Sequence, residues 1–408
     1  MNPNPIVITG LGVVAPNGIG TQQQWKATLA KQSGIAPLSV DVRGTSGLRV
    51  GGQVSGFDAD QFVPAPQRVQ TDRWTWFCLA ATELCFADAD LDLNLVDPCC
   101  LSVVTPSSTG GNVFGQRELQ SLWSKGPRAV SAYQSIAWFY AASAGQLSIR
   151  HGLKGRCAVT VADGAGGLAA AGAALRMLRT DPGQRILVAG GEAPFSPYSM
   201  VCHQQRADLS RSEDYEPFRT PATGGVLGEG GAALLLETLE SATARRAPGH
   251  YAELAAVTST HDAYDQSLAP PNPDALAVAI SRALTRADVM PDEVDVIFVD
   301  GNGAADWDAL EIAALRTCFG HRFVEIPVAV PKTMTGRLNS AGALMDLCWA
   351  AQALAHDIAP PTLGDTAGPL AVVAEPCFAA GLNTALVIAR GAGGFNAAAV
   401  LKSVGCRA

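Results

Sequence analysis

The sequence has no CxxC pair, no two of its six histidines stand at a metal-ligand spacing, and no G-x-S-x-G turn occurs. These gaps argue against a zinc site and a serine-hydrolase elbow. Charged residues make up only 16%, and the lysines and arginines form no stripe; with a net charge of −8, nucleic-acid binding is not expected. No uncharged apolar run reaches the roughly 18 residues that a bilayer-spanning helix needs. MNPNPIVITGLG enters a strand at once, with no basic n-region. The expectation is a cytoplasmic protein with no membrane partner. Repeats and low-complexity tracts are missing too.

What is present is apolar and rich in turns. Hydrophobic residues make up 48%, with 42 glycines and 25 prolines in 408 residues, the composition of a compact, heavily buried fold. Continuous Val/Ile/Leu-rich runs suit strands covered on both faces. They are PIVITGLGVV, CCLSVVTPSS, CAVTVAD, RILVAGGE and GGAALLLE, then DVIFVDGNG, TALVIARG and FNAAAVLK. Helices are predicted near 74–88, 136–150, 164–179, 275–287, 306–319 and 340–356, which gives an α/β layered architecture. The order of elements is similar in two halves, 1–245 and 246–408, divided within the polar segment SATARRAPGHYAEL. A pseudo-duplicated α/β unit is expected, with ligand chemistry where the halves meet. Ten cysteines, at 78, 85, 99, 100, 157, 202, 318, 348, 377 and 406, lie mostly in apolar segments, the pattern of reduced, buried thiols.

The stretch VTVADGAGGLAAAG, residues 159–172, reads as a strand turning tightly into a helix of small residues. Such a turn points the first helical side chain at a pocket, and the helix N-terminus favours a thiolate or oxyanion there. The apex, Gly164, has no side chain to offer. ITGLGVVAPNG imitates a dinucleotide fingerprint, but Pro16-Asn17-Gly18 breaks the helix that would hold a pyrophosphate, so a strand with a tight exit turn is expected. The hydroxyls of TPSSTGG at 105–111 are expected to bond their own backbone, and Cys157 to be an inert core thiol. Glu229 reads as an acceptor for backbone N–H groups. Lys332 and Arg337, in VPKTMTGRLNSAG, fit either surface charges or the cationic wall of a pocket.

Taken together, these segments resemble the condensing-enzyme branch of the thiolase superfamily, the ketosynthases of fatty acid and polyketide assembly. The resemblance runs from VITGLGVVAPNG to GAGGFNAAAVLK and implies a thiolase fold, a pseudo-duplicated αβαβα layering. Active members carry a cysteine in a T-A-C-x-[ST]-G-like turn and histidines in H-G-T-like and K-x-x-x-G-H motifs. The thiolate attacks an acyl thioester, and the histidines assist malonyl decarboxylation and stabilise the enolate. Here the cysteine position is Gly164, the first histidine position is Asn302 and the second is Arg337, while Lys332 is retained. No catalytic residue remains by this carry-over, and no metal or cofactor site is implied.

That pattern, with VPKTMTGRL, SIAWFYAASAGQLSIRHG, SSTGGNVFGQRELQSLW and IARGAGGFN, is similar to the chain-length factors of bacterial type II polyketide synthases. These are silent beta subunits that pair with a cysteine-containing ketosynthase alpha subunit. They often carry Gln at the elbow, and Gly164 removes even that amide. The resemblance implies a heterodimer that takes malonyl-derived units from an acyl carrier protein, which holds the chain on its own phosphopantetheine. It also implies a polyketide tunnel at the interface, lined by Asn112, Gly115 and Leu119 on one helix face; small side chains there predict a roomy end. WTWFCLAATELCF and SIAWFYAASAGQL are expected at the dimer interface. Two other readings stay open: a self-sufficient condensing or decarboxylating homodimer using Lys332, Asn302 or Cys157, and a degenerate thiolase-fold scaffold.

Overall fold

The computed structural model describes residues 4–38, 47–264, 272–364, 368–378 and 381–404. Ten main strands alternate with helices along the chain. The first half contains β1 (Ile6–Ala15), α1 (Arg73–Asp88), β2 (Leu101–Pro106), α2 (Asn112–Lys125), α3 (Ala142–His151), β3 (Cys157–Thr160), α4 (Gly166–Thr180), β4 (Arg185–Glu192) and β5 (Gly230–Thr238). The second contains β6 (Glu253–His261), α5 (Asp274–Ala287), β7 (Val296–Phe298), α6 (Ala305–Phe319), β8 (Pro327–Ala329), α7 (Asn339–His356), β9 (Thr384–Gly391) and β10 (Phe395–Lys402).

The strands are ordered β8-β7-β9-β10-β6-β1-β5-β4-β2-β3, and two short strands, Gly18–Ile19 and Ala371–Val372, add to the sheet beside β1 and β8. Counting outward from the β1/β6 junction, the same pattern occurs twice. In each half one strand is followed by two antiparallel neighbours and then two parallel ones. This is the duplication expected from the sequence. The join is narrow, with Val7 facing Glu253 and two backbone bonds between Ile8 and residues 251–252.

Side-chain alternation along the strands builds the layers. On β4 and β5, Leu187, Ala189, Ala233 and Leu235 pack outward on α1 and α3, while Ile186, Val188, Leu234 and Leu236 pack inward on α4 and α7. On β9 and β10, Ala385, Val387, Ala397 and Ala399 join the same central core, and Leu386, Ile388, Ala398 and Val400 face α5 and α6. The result is helix, sheet, helix, sheet, helix. Each large apolar side chain buried this way contributes roughly 1.5–3 kcal/mol relative to exposure. The centre is tight because α4 is made of small residues: a β-carbon on Gly167 would come 2.6 Å from the Leu344 nitrogen of α7.

One expectation changes here. The helix in WTWFCLAATELCF is core, with Trp74, Phe77 and Cys78 fully buried, because a helix apolar on every face needs cover on every face. The glycines of ITGLG also have a packing reason. A β-carbon on Gly12 would overlap the Ala81 carbonyl of α1, so the strand needs glycine there for that helix to approach. Val14 then pairs with Ile19 across the Pro16–Gly18 turn, as a strand with a tight exit would.

Candidate functional site

The turn from β3 into α4 carries Asp163 with φ at +44° and then Gly164, at the start of the central helix pair. This is the tight strand-to-helix turn predicted from VTVADGAGGLAAAG. A β-carbon on Gly164 would overlap the carbonyl oxygen of Arg390, a backbone atom from β9 that cannot rotate away. Arg390 is itself pinned. Its N–H donates to Asp300 Oδ1 at 3.1 Å, its Nη1 donates to the Trp307 carbonyl at 3.0 Å, and its guanidinium lies over the Trp307 ring. The nucleophile's seat is closed as well as empty.

Amide donors near a helix N-terminus commonly hold the oxyanion in acyl transfer. The donor next to this elbow is already used, because Ala392 N–H donates to Asp163 Oδ2 at 2.7 Å, and the Ser108 hydroxyl donates to Asp163 Oδ1 at 2.9 Å. Burial alone would raise the Asp163 carboxyl; Arg206, the Ala392 N–H and the Ser108 hydroxyl outweigh it and hold the group below its ordinary value. A resident anion occupies the donor.

The two expected histidine positions are equally committed. Asn302 Nδ2 donates to Asp208 Oδ2 at 3.1 Å, and Arg206 grips the same carboxylate through Nε at 3.0 Å and Nη2 at 2.7 Å. Against the penalty of burial, Arg206, Asn302 and Arg337 hold Asp208 well below the usual carboxylate range. Arg337 forks onto Asp300 Oδ1 and Oδ2 at 3.0 and 2.9 Å, and its Nη1 donates to the Asp300 carbonyl at 2.8 Å. Lys332 Nζ donates to Asp346 Oδ2 at 2.7 Å and to the carbonyls of Val299 and Asp300. Burial pushes Asp346 up to about 6, with Lys332 opposing.

Gly164, Lys332 and Arg337 line one small cavity of about 30 Å³ with Asp163, Arg206 and Asp300, and Asn302 sits behind it through Asp208. That volume holds about two waters. Among the described residues, no cysteine lines it. His203, within electrostatic reach of Arg206 and Asp163, is pushed down to about 4 by burial and then by Arg206, so it stands neutral. The sequence predicted neither Asp163 nor Arg390 as a plug; the adjacent ADG and RGAGG turns were the available signal.

Other predicted residues fall as follows. Glu229 accepts the Val54 N–H at 3.0 Å, as expected, and also pairs with Arg73. Ser108 and Thr109 bond the carboxylates of half-buried Asp163 and buried Glu192, where local backbone bonds were expected. Cys157 is exposed, because β3 is the last strand of the sheet. Of the other cysteines, Cys78, Cys85 and Cys348 are buried and none of those described is bonded to another, while Cys406 lies outside the described residues. On α2, Asn112 and Gly115 are buried, but Leu119 is 42% exposed and opens on an apolar groove of about 690 Å³ with Trp123, Tyr198 and Val201. The room expected beside Gly115 is filled: a β-carbon there would come 2.8 Å from Trp138 Cδ1.

Residues 3–242 match the beta-ketoacyl synthase N-terminal domain and residues 251–365 the C-terminal domain. The chain belongs to the beta-ketoacyl synthase family. Within this family of synthases it is 44% identical to the tetracenomycin polyketide synthase ketoacyl synthase beta subunit of Streptomyces glaucescens, over 99% of both chains. It is 40% identical to the actinorhodin polyketide putative beta-ketoacyl synthase 2 of Streptomyces coelicolor, over 97% of this chain and 98% of that one. A solved type II polyketide synthase acyl-carrier protein in complex with its ketosynthase bound to the hexaketide matches at TM-score 0.88 and 25% identity, over 99% of this chain and 100% of that one. The ishigamide ketosynthase/chain length factor shares the fold at TM-score 0.90 and 23% identity, over 98% and 100%. The beta-ketoacyl synthase fold is therefore complete around an elbow that carries no nucleophile.

Proposed function

We propose that this chain is a chain-length factor, a beta subunit that pairs with a cysteine-bearing ketosynthase and shapes the tunnel in which a polyketide grows. The observation that carries this reading is the Arg390 carbonyl against Gly164, which closes the elbow inside an otherwise whole synthase fold. Gly164, Asn302 and Arg337 stand where the catalytic cysteine and histidines would be, and Lys332 serves as a buried ion-pair partner of Asp346.

A partner surface supports the reading. Tyr133, Trp138, Phe139 and Tyr140 are exposed, Trp123 is 83% exposed, and Val161 is exposed beyond the outer strand β3. An open strand edge beside exposed aromatics is unstable in water and favours a permanent partner. The partner is the ketosynthase alpha subunit. Of Asn112, Gly115 and Leu119 on α2, Leu119 faces the shared tunnel and the other two back it from the buried side, and 1–245 and 246–408 are the two thiolase-like halves. Malonyl-derived units arrive on the phosphopantetheine of an acyl carrier protein in the bacterial cytoplasm, and this chain contributes no cofactor. Among the described residues, no helix is long and apolar enough to cross a membrane.

The test is mass spectrometry of products from malonyl-loaded carrier protein, with this chain alone, the ketosynthase alone, and the pair. Product of defined length from the pair only is expected. Product from this chain alone overturns the reading.

A further inference from the structure

Helix α2 does not cap itself. Its N-cap is Gly111, which has no side chain to bond the free N–H groups of the first turn. Packing excludes a serine or aspartate there, because a β-carbon on Gly111 would overlap the Ala137 carbonyl. The cap comes from another helix. Asp72, 42 residues before Phe114, accepts the Phe114 N–H on Oδ2 at 2.6 Å, and Phe114 is the third helical residue, a usual target of an N-cap side chain.

The same carboxylate also serves α1. Asp72 is the N-cap of that helix, and its Oδ1 accepts the Trp74 N–H at 3.2 Å. Burial pushes Asp72 up to about 6, against its bonds to Phe114 and Trp74 and the charge of Arg117 on α2, so at pH 8 it is ionised and both oxygens accept. The two helices differ in kind. α1 is core, whereas α2 packs on the short segments 127–129, 134–137 and 197–203 and exposes Val113, Leu119 and Trp123.

We propose that Asp72 is a positioning residue for subunit pairing: its two oxygens tie the start of α2 to the core helix α1 and so hold the exposed face of α2 in place for the partner. The inference rests on the reading that the ketosynthase meets α2. Two acceptors are required. Serine caps its own helix about as well as aspartate but has one short hydroxyl, and asparagine keeps one oxygen while turning an N–H₂ donor toward the other backbone N–H.

The experiment compares the full chain as wild type, Asp72→Ser and Asp72→Asn at pH 8, by amide hydrogen exchange at the starts of α1 and α2 and by calorimetry against the ketosynthase. Asp72→Ser is expected to leave exchange at the start of α1 as in wild type, to speed it about ten-fold at the start of α2, and to weaken pairing by about the same factor, the loss of one charge-assisted bond. Asp72→Asn is expected to protect one helix start and lose the other, and it carries the test if the serine variant does not fold. Wild-type exchange at both helix starts in either variant overturns the shared cap. Fast exchange at α2 with undiminished affinity overturns its link to pairing. A wild-type chain that does not bind the ketosynthase overturns the partner reading, and the pairing role with it, whatever the exchange at α2.

Discussion

The carbonyl oxygen of Arg390 occupies the space that a β-carbon on Gly164 would need. Restoring a thiol by Gly164→Cys should therefore destabilise the fold without restoring chemistry. Overpacking costs roughly 1–3 kcal/mol where side chains adapt, and here the obstacle is backbone. A lowered unfolding midpoint in urea is expected, with no acylation of residue 164 in peptide maps after exposure to an acyl thioester. Stoichiometric acylation at 164 with unchanged stability contradicts the closed seat.

Glu192 governs part of the pH dependence of stability. Burial pushes its carboxyl up to about 7, against the hydroxyls of Ser340 and Thr109. A folded value above the unfolded one means the folded state holds the proton more tightly, so this stability is full below about 4.5 and lost as pH rises through about 7. Glu192→Gln imitates the protonated acid. Its stability relative to wild type should rise between pH 5 and pH 8.5 in urea titrations; a difference that stays flat removes Glu192 as the cause.

Thiol labelling should divide the cysteines. Cys157, at the outer edge of the sheet, should react in the isolated chain and be protected in the heterodimer. Cys78, whose thiol burial pushes up to about 12, should react only on unfolding, as should Cys85 and Cys348, which burial also raises. Equal labelling of Cys157 with and without the ketosynthase argues against pairing along β3.

Trp123 projects almost wholly into solvent beside the groove formed with Leu119, Tyr198 and Val201. Aromatic anchors at an interface are commonly worth 2 kcal/mol or more, about thirty-fold in affinity. Trp123→Ala should weaken association with the ketosynthase by ten-fold or more in calorimetry and leave the unfolding midpoint of the isolated chain unchanged. Undiminished affinity places the interface elsewhere.

The layered fold was legible because buried strands and the α4 helix carry their pattern in local runs: α4 was predicted at 164–179 and lies at Gly166–Thr180, and α7 at 340–356 lies at Asn339–His356. Coverage by distant elements was less legible. CAVTVAD has the same apolar character as a central strand, yet β3 is an edge, and nothing local distinguishes strand cover from partner cover. WTWFCLAATELCF misled in the opposite sense, since sheet and helix already cover it. At the elbow, the missing side chain at Gly164 was plain in the sequence. The obstruction by Arg390 was not, because it comes from 226 residues further along the chain. The same holds for Trp138, whose seat on Gly115 depends on a turn and not on periodicity.

Gly164 belongs to the first of the duplicated halves and Arg390 to the second, so the chain's silence is divided between them. Any side chain placed at 164 has to be accommodated by the second half as well as the first. A thiol at 164 has nowhere to stand until β9 withdraws, and that withdrawal breaks the bonds Arg390 makes to Asp300 and Trp307 before any thiol can react. A side chain at 164 and the position of β9 are therefore one variable, set jointly by the two halves of the chain.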